Sequence, residues 1–370
     1  MSLATFLSRI DHTLRPLLGS LKPRIFTHLY SATRPWFSAI AANDVIQPII
    51  FPDTFKVRVR NLTFRSPIGN AAGMYKHAEG YERAYAQGAG FYLAGTTTSL
   101  PRKGNVKNGI TLPFVPYPKS HAASNWLGLP NKGHIETAKH IATFSHYPEF
   151  PIGASVSMDP GMNIGQGLKG LIEGIKAYQD AGCDFIELNE SCPNVPGHST
   201  DHDKIDDSLI ARLDTIADTI DLATYPVIVK FSNDTDPALI KPLMSILVER
   251  KFAGINLGNT STAYQKYASQ IHDDDKKHYE YFTKEYGGGL SGAIMRESSL
   301  QLCSIAHEYL REHSIKDCIV IATGGIETSD DIREAMNTGA HLTQWYTGYF
   351  ERFGVDGNKV YSNLYQQLDA

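Results

Sequence analysis

The 370-residue sequence predicts an α/β protein: a (β/α)8 TIM barrel preceded by an N-terminal helical extension. Three observations carry that expectation. Eight short apolar runs recur from about residue 66 onward, separated by stretches of helical spacing, as repeated strand-then-helix units read. Eight such runs over about 280 residues match the size of a closed parallel barrel. Two connections, residues 96–150 and 259–298, are too long for plain loops, and barrel enzymes build their sites in long excursions after strands. A doubly wound open sheet is the alternative that the same alternation allows.

Residues 1–50 read as a helical arm and residues 51–370 as the barrel. Residues 1–43 carry Arg9, Arg15, Lys22, Arg24 and Arg34 against the single acid Asp11, interleaved with Leu, Phe, Ile and Trp36. That composition suits amphipathic helices resting on an anionic membrane surface, through residues 1–45. The competing reading packs the arm on its own barrel. The strand candidates that follow are Pro67–Ala72, Gly90–Gly95, Pro151–Val156, Phe185–Leu188, Pro226–Phe231, Ala253–Leu257, Cys318–Thr323 and Leu342–Tyr346. Helical periodicity is clearest in Leu168–Ala181, Ser208–Ala223, Ala238–Lys251, Ser299–His313 and Ser329–Gly339.

Composition removes several function classes. A hydrophobic content of 42% with 20% charged residues is that of a compact chain, not a disordered one. A formal charge of -4 offers no global attraction for nucleic acid. No uninterrupted apolar stretch is long enough to span a bilayer, and Arg9, Asp11, His12 and Arg15 interrupt any signal-like centre. Cys183, Cys192, Cys303 and Cys318 form neither a C-x-x-C pair nor a zinc spacing, which favours a reducing compartment and no metal.

The chemistry-bearing residues fall at strand ends. Glu187-Leu188-Asn189-Glu190-Ser191-Cys192-Pro193-Asn194-Val195-Pro196-Gly197 brings amides and a thiol to the active-site end of the fourth strand. Cys192 can act as a general base if its surroundings favour thiolate, whereas the other three cysteines keep the inert, buried reading. Small residues in Gly69-Asn70-Ala71-Ala72-Gly73 let backbone approach a flat ligand, with Lys76 placed to meet negative charge. Thr323-Gly324-Gly325, joined to Gly289-Leu290-Ser291-Gly292 and Trp345-Tyr346-Thr347, forms a candidate phosphate cup. Lys230 directly follows an apolar strand, where it can stabilise the negative charge a reduced ring acquires. Asn125, Asn259 and Thr260 add further hydrogen-bonding groups, suited to an imide-like ring.

Taken together, Ala71-Ala72-Gly73-x-x-Lys76-His77, Asn125-Trp126-Leu127-Gly128-Leu129-Pro130-Asn131, Asn189-x-Ser191-Cys192-Pro193-Asn194, Asn259-Thr260, Gly289-Leu290-Ser291-Gly292 and Thr323-Gly324-Gly325-Ile326 resemble the dihydroorotate dehydrogenases, over residues 55 to 355. The resemblance implies FMN as cofactor, dihydroorotate as substrate and orotate as product in pyrimidine biosynthesis. It implies that Lys76, Asn125, Asn189, Asn194, Asn259 and Thr260 hold the substrate and that Cys192 is the base. It further implies that Ala71, Ala72, Gly73, Thr96, Ser155, Lys230, Ser291, Gly292, Gly324, Gly325, Tyr346 and Thr347 surround the flavin, which Asn189 also reaches. The base and the Leu-Gly-Leu-Pro-Asn loop look like the soluble branch, which reduces fumarate. Lys76-His77 and the arm look like the membrane-associated branch, which reduces quinone and normally has a serine base. An arginine that branch usually places within Gly104–Lys119 has no clear counterpart. The arm tips the expectation to quinone and to a peripheral position on the cytoplasmic side of the inner membrane. Fumarate as acceptor, another dihydropyrimidine as substrate, and a catalytically silent flavin-binding module are the alternatives.

Overall fold

The computed structural model describes residues 1–44, 46–49, 55–190 and 205–368. Eight parallel strands form one sheet: β1 Ile68–Asn70, β2 Tyr92–Thr97, β3 Ile152–Val156, β4 Phe185–Asn189, β5 Val227–Phe231, β6 Gly254–Leu257, β7 Ile319–Thr323 and β8 Leu342–Trp345. Each overlaps one of the expected apolar runs. Neighbours pair in chain order from β2 to β8, and β8 pairs with β1. The ring is drawn together just beyond β1, where Gly73 N–H donates to Gly95 O at 2.6 Å and Gly95 N–H donates to Tyr75 O at 2.9 Å. The result is a nearly closed barrel, not the open alternative.

The helices include α1 Leu3–Leu18 and α2 Pro23–Ala42 in the arm, then α3 Tyr81–Gln87, α4 His134–Ile141, α5 Ile164–Asp180, α6 Asp207–Thr219, α7 Pro237–Glu249, α8 Arg296–Glu312, α9 Ser329–Asn337, α10 Thr347–Asp356 and α11 Val360–Leu368, and the second excursion carries two more, Tyr264–Tyr267 and Asp273–Glu285. Side-chain caps fix several starts: Asn163, Asp206, Asp236 and Thr328 each accept a hydrogen bond from a first-turn amide. Thr328 and Asp331 complete a reciprocal capping box. Helix α6 stops short of the expected Ala223 because Ile220 adopts extended backbone.

Strand alternation sorts the barrel interior into two storeys. Toward the N-terminal end, Leu93, Phe185, Ile228, Ile319, Ile321 and Leu342 pack with Phe91 and Phe64. Phe64 belongs to a hairpin, Val57–Val59 with Leu62–Phe64, and its ring lies 5.5 Å from Phe91 and 6.0 Å from Phe185. Toward the C-terminal end the inward positions turn polar: Ser155, Glu187, Lys230, Asn256, Thr323 and Gln344 are all buried. Branched apolar side chains usually fill such a layer.

The two long excursions meet over the C-terminal mouth. Strands Phe114–Tyr117 and Ala122–Asn125 form a hairpin, and Gly289–Gly292 pairs antiparallel with its second strand, Gly289 opposite Asn125 and Ser291 opposite Ala123. The arm covers the outer strand of this small sheet. Ser31 Oγ of α2 accepts from Phe114 N–H at 2.9 Å and stands 3.3 Å from Phe114 O, occupying both outward-facing groups of that residue. Phe26 packs against the His278 ring, the centroids 4.2 Å apart and the planes tilted by 31°, and Arg15 of α1 bonds Glu351 of α10 at 2.5 Å. The inner face of the arm is thus packed on the body. Leu3, Phe6, Ile10, Leu14 and Leu17, three or four residues apart, remain exposed along α1, with Ile25 and Trp36 on α2. No helix among the described residues is long and apolar enough to cross a membrane.

One buried group couples this fold to pH. His134 is 1% exposed, its Nδ1 lies 2.8 Å from Thr97 Oγ1, and its Nε2 is buried without a partner among the described residues. Burial holds the imidazole down to about 4. The unfolded chain therefore binds more protons than the folded one between about pH 4 and 6.5, and stability falls as pH drops through that window. Between pH 7 and 5 this single group should account for about 2 kcal/mol. Urea unfolding of wild type and His134→Gln at both pH values checks it: the variant's loss on acidification should be smaller by that amount, and an identical loss rules out His134 as the source.

Candidate active site

A cavity opens at the C-terminal mouth of the barrel, where successive strands release polar residues after their apolar runs. Ala71, Ala72, Gly73 and Lys76 follow β1, Thr96 lies on β2, Asn189 ends β4 and Lys230 lies on β5. Asn259 and Thr260 follow β6, and Gly324 and Gly325 follow β7. Tyr346 precedes α10, which Thr347 begins. Asn125, Ser291 and Gly292 arrive on the small antiparallel sheet, whose register brings the two excursions to the same wall. All of these expected residues line one cavity. Ser155 does not: it is fully buried one layer behind, its Oγ 2.9 Å from Thr96 Oγ1 and donating to Glu187 at 3.1 Å. Cys192 and Asn194 lie outside the described residues.

One part of the wall is shaped for an anion. Gly325 has φ +78°, and a Cβ there would come within 2.7 Å of the Arg296 backbone nitrogen; at Gly292, with φ +113°, it would come within 2.2 Å of His121 O. Only glycine fits either position without backbone movement. Thr347 and Gly348, at the start of α10, complete this side, and a helix N-terminus favours negative charge. Ser291 Oγ and Thr347 Oγ1 are 3.0 Å apart. Thr260 Oγ1, on the wall, and Asn233 Oδ1, near Gly324, are buried without hydrogen-bond partners among the described residues. Such groups call for a polar ligand or ordered water.

The floor carries a buried ion pair. Lys230 Nζ lies 3.5 Å from Glu187 Oε1, the side chains being 2% and 1% exposed. Asn189 Nδ2 donates to Thr96 Oγ1 at 2.9 Å, which ties the end of β4 to β2. The remaining thiols are far from reactive: Cys183, Cys303 and Cys318 are buried, and burial raises all three, Cys303 and Cys318 to about 12.

Several lining residues were not expected from the sequence. Gln344 stands in the eighth apolar run and Phe114 in the first excursion. Arg34 reaches the wall from α2, donates to Tyr346 Oη, and lies over the rings of Phe114 and Tyr346 at 5.2 and 5.8 Å. The only readable signal was for Gln344, a polar residue at an inward phase of a strand. Arg34 joins two spaces. A second cavity, of about 290 Å³, runs between α1, α2 and α10 past Leu14, Leu18, Leu29, Phe37 and Phe350, and shares Arg34, Phe114, Tyr346 and Thr347 with the first. Apart from Arg34, its charged groups are internally compensated, Arg15 with Asp11 and Glu351. Arg34 has no carboxylate partner among the described residues.

Comparison with known proteins agrees with this architecture. A curated relative from Myxococcus xanthus, a dihydroorotate dehydrogenase (quinone), is 27% identical over 313 residues, 83% of this chain and 78% of that protein. One of the same description from a Marinomonas species is 29% identical over 347 residues, 90% of this chain and 91% of that one. In fold, the chain resembles the crystal structure of DHODH from Eimeria tenella in complex with ferulenol, with a TM-score of 0.74 and 21% identity over 91% of this chain and 90% of that one. The description of the dihydroorotate dehydrogenase family matches residues 54–370, which take in the whole barrel and every wall of the cavity except Arg34. By that match, the chain belongs to the dihydroorotate dehydrogenase family.

Proposed function

We propose that the protein oxidises dihydroorotate to orotate with FMN bound in the barrel-mouth cavity, Cys192 acting as general base, and that the electrons pass to a quinone. The observation that carries the reading is the convergence, on one cavity, of Lys76, Asn125, Asn189, Asn259 and Thr260 with the glycine-lined anion cradle. The donor set fits FMN: Gly292, Gly324, Gly325 and Thr347 suit its phosphate, and Lys230 its ring. When bound, FMN would accept the hydride, which carries both of the electrons that leave the substrate.

The protein's own residues supply the rest. Lys76 offers a cation to the substrate carboxylate, and the asparagines offer paired donors and acceptors to the ring amides. Holding the ring in reacting orientation contributes about 7–11 kcal/mol where alignment is good. Cys192 takes the proton from the carbon next to the one that loses hydride, which balances the oxidation. Quinone is favoured over fumarate by the second cavity, which is apolar along most of its length and meets the first at Arg34. The curated relatives' description points the same way.

Purified protein should be yellow, release FMN on denaturation and turn over dihydroorotate with a dye or a short-chain quinone. Side-by-side assays with fumarate should show quinone as the faster acceptor. Colourless protein that stays inactive with added FMN overturns the reading, and faster turnover with fumarate overturns its final step.

A further inference from the structure

We infer that Glu187, which does not reach the cavity, is a positioning residue: it anchors Lys230 at the cavity floor and, by neutralising it, sets the reduction potential of the bound flavin. The inference rests on the FMN reading above. Glu187 occupies the inward phase of β4 between Phe185 below and Asn189 above, a place that barrels ordinarily give to an apolar side chain. A carboxylate there is costly unless every lone pair is occupied.

Here they are occupied from four strands. Oε1 accepts from Ser155 Oγ at 3.1 Å and faces Lys230 Nζ at 3.5 Å. Oε2 accepts from Asn256 Nδ2 at 2.7 Å and Gln344 Nε2 at 2.8 Å. Thr323 Oγ1 donates to Asn256 Oδ1 at 2.7 Å, which turns that amide's NH2 toward Glu187. Two amide donors, a hydroxyl and an ammonium converge on one group, the pattern of an ionised carboxylate. Lys230 makes a further, long contact to Gln344 Oε1 at 3.4 Å. Of the ion pair only Lys230 lines the cavity, with Glu187 buried behind it.

This arrangement bears on electron transfer. A lone buried cation would strongly favour the extra negative charge of a reduced ring and would hold the electrons there. With Glu187 beside it, the floor presents the positive end of a dipole and no net charge. Electrons can then enter from substrate and still leave to the acceptor.

The test is the flavin midpoint potential of the holoprotein. Glu187→Gln should move it positive by at least tenfold in the two-electron equilibrium, about 30 mV. Lys230→Gln should move it negative, and the Glu187→Gln/Lys230→Gln protein should return toward wild type. A Glu187→Gln protein that keeps FMN at the wild-type potential overturns the inference. If that variant does not retain FMN, the double variant decides: recovered flavin near the wild-type potential supports the pairing, and continued loss overturns it. A purely structural Glu187 would lower flavin occupancy without this opposed pair of shifts. Wild-type protein without FMN is a separate outcome, since it removes the FMN reading itself before any variant is made.

Discussion

Cys192→Ala should slow the substrate-driven bleaching of the flavin by about 10²–10⁴-fold, the usual contribution of a positioned general base. Flavin content should be unchanged, because flavin binding is ascribed to other residues. Cys192→Ser should fall between, losing most of the rate near neutral pH and recovering as pH rises, since a hydroxyl is far less readily ionised than a thiol. Rapid mixing of oxidised holoprotein with dihydroorotate across pH reads both. Alanine at Cys183, Cys303 or Cys318 should leave that rate alone, their thiols being buried and raised. The adjacent Ser191 makes the outcome decisive. Near-normal bleaching in Cys192→Ala together with a collapsed rate in Ser191→Ala would transfer the role of base to the serine.

Arg34→Met should raise the KM for a short-chain quinone by about 10- to 100-fold, as expected for losing a charge-assisted hydrogen bond worth about 1.5–3 kcal/mol. Dye reduction driven by dihydroorotate should stay close to wild type. The asymmetry follows from position: Arg34 stands where the two cavities meet, is held by Phe114 and Tyr346, and has no carboxylate partner among the described residues. Residues 104–119 contain no arginine. A guanidinium does reach that part of the structure, but from the arm. An unchanged quinone KM, or equal losses with quinone and dye, would show that Arg34 serves packing alone.

The barrel was legible because strands covered on both faces read as continuous apolar runs, and Gly, Pro and cap residues punctuate them. The lining residues at strand ends were legible for a related reason, since polar side chains that break off such runs stand at the mouth. What the sequence hid depends on distance along the chain. Arg34 touches Tyr346 across 312 positions, and nothing in the pattern of an amphipathic helix distinguishes that arginine from Arg24 or Lys22. The small sheet escaped notice because its strands are four residues long and one contains Pro116, which an outer strand tolerates. Glu187, Asn256 and Gln344 each interrupt an apolar run at the inward phase. Read singly they are blemishes, and only the nearly closed barrel shows that they meet.

The bond from Ser31 to Phe114 has a consequence for how the arm can be studied. Cutting the helices away would uncover the Phe114 amide and carbonyl on the outer strand and leave that rim open to pairing with a neighbouring copy. A shortened chain would then report clumping in place of lost electron delivery. Single side-chain changes that leave the rim sheathed are the sounder instrument.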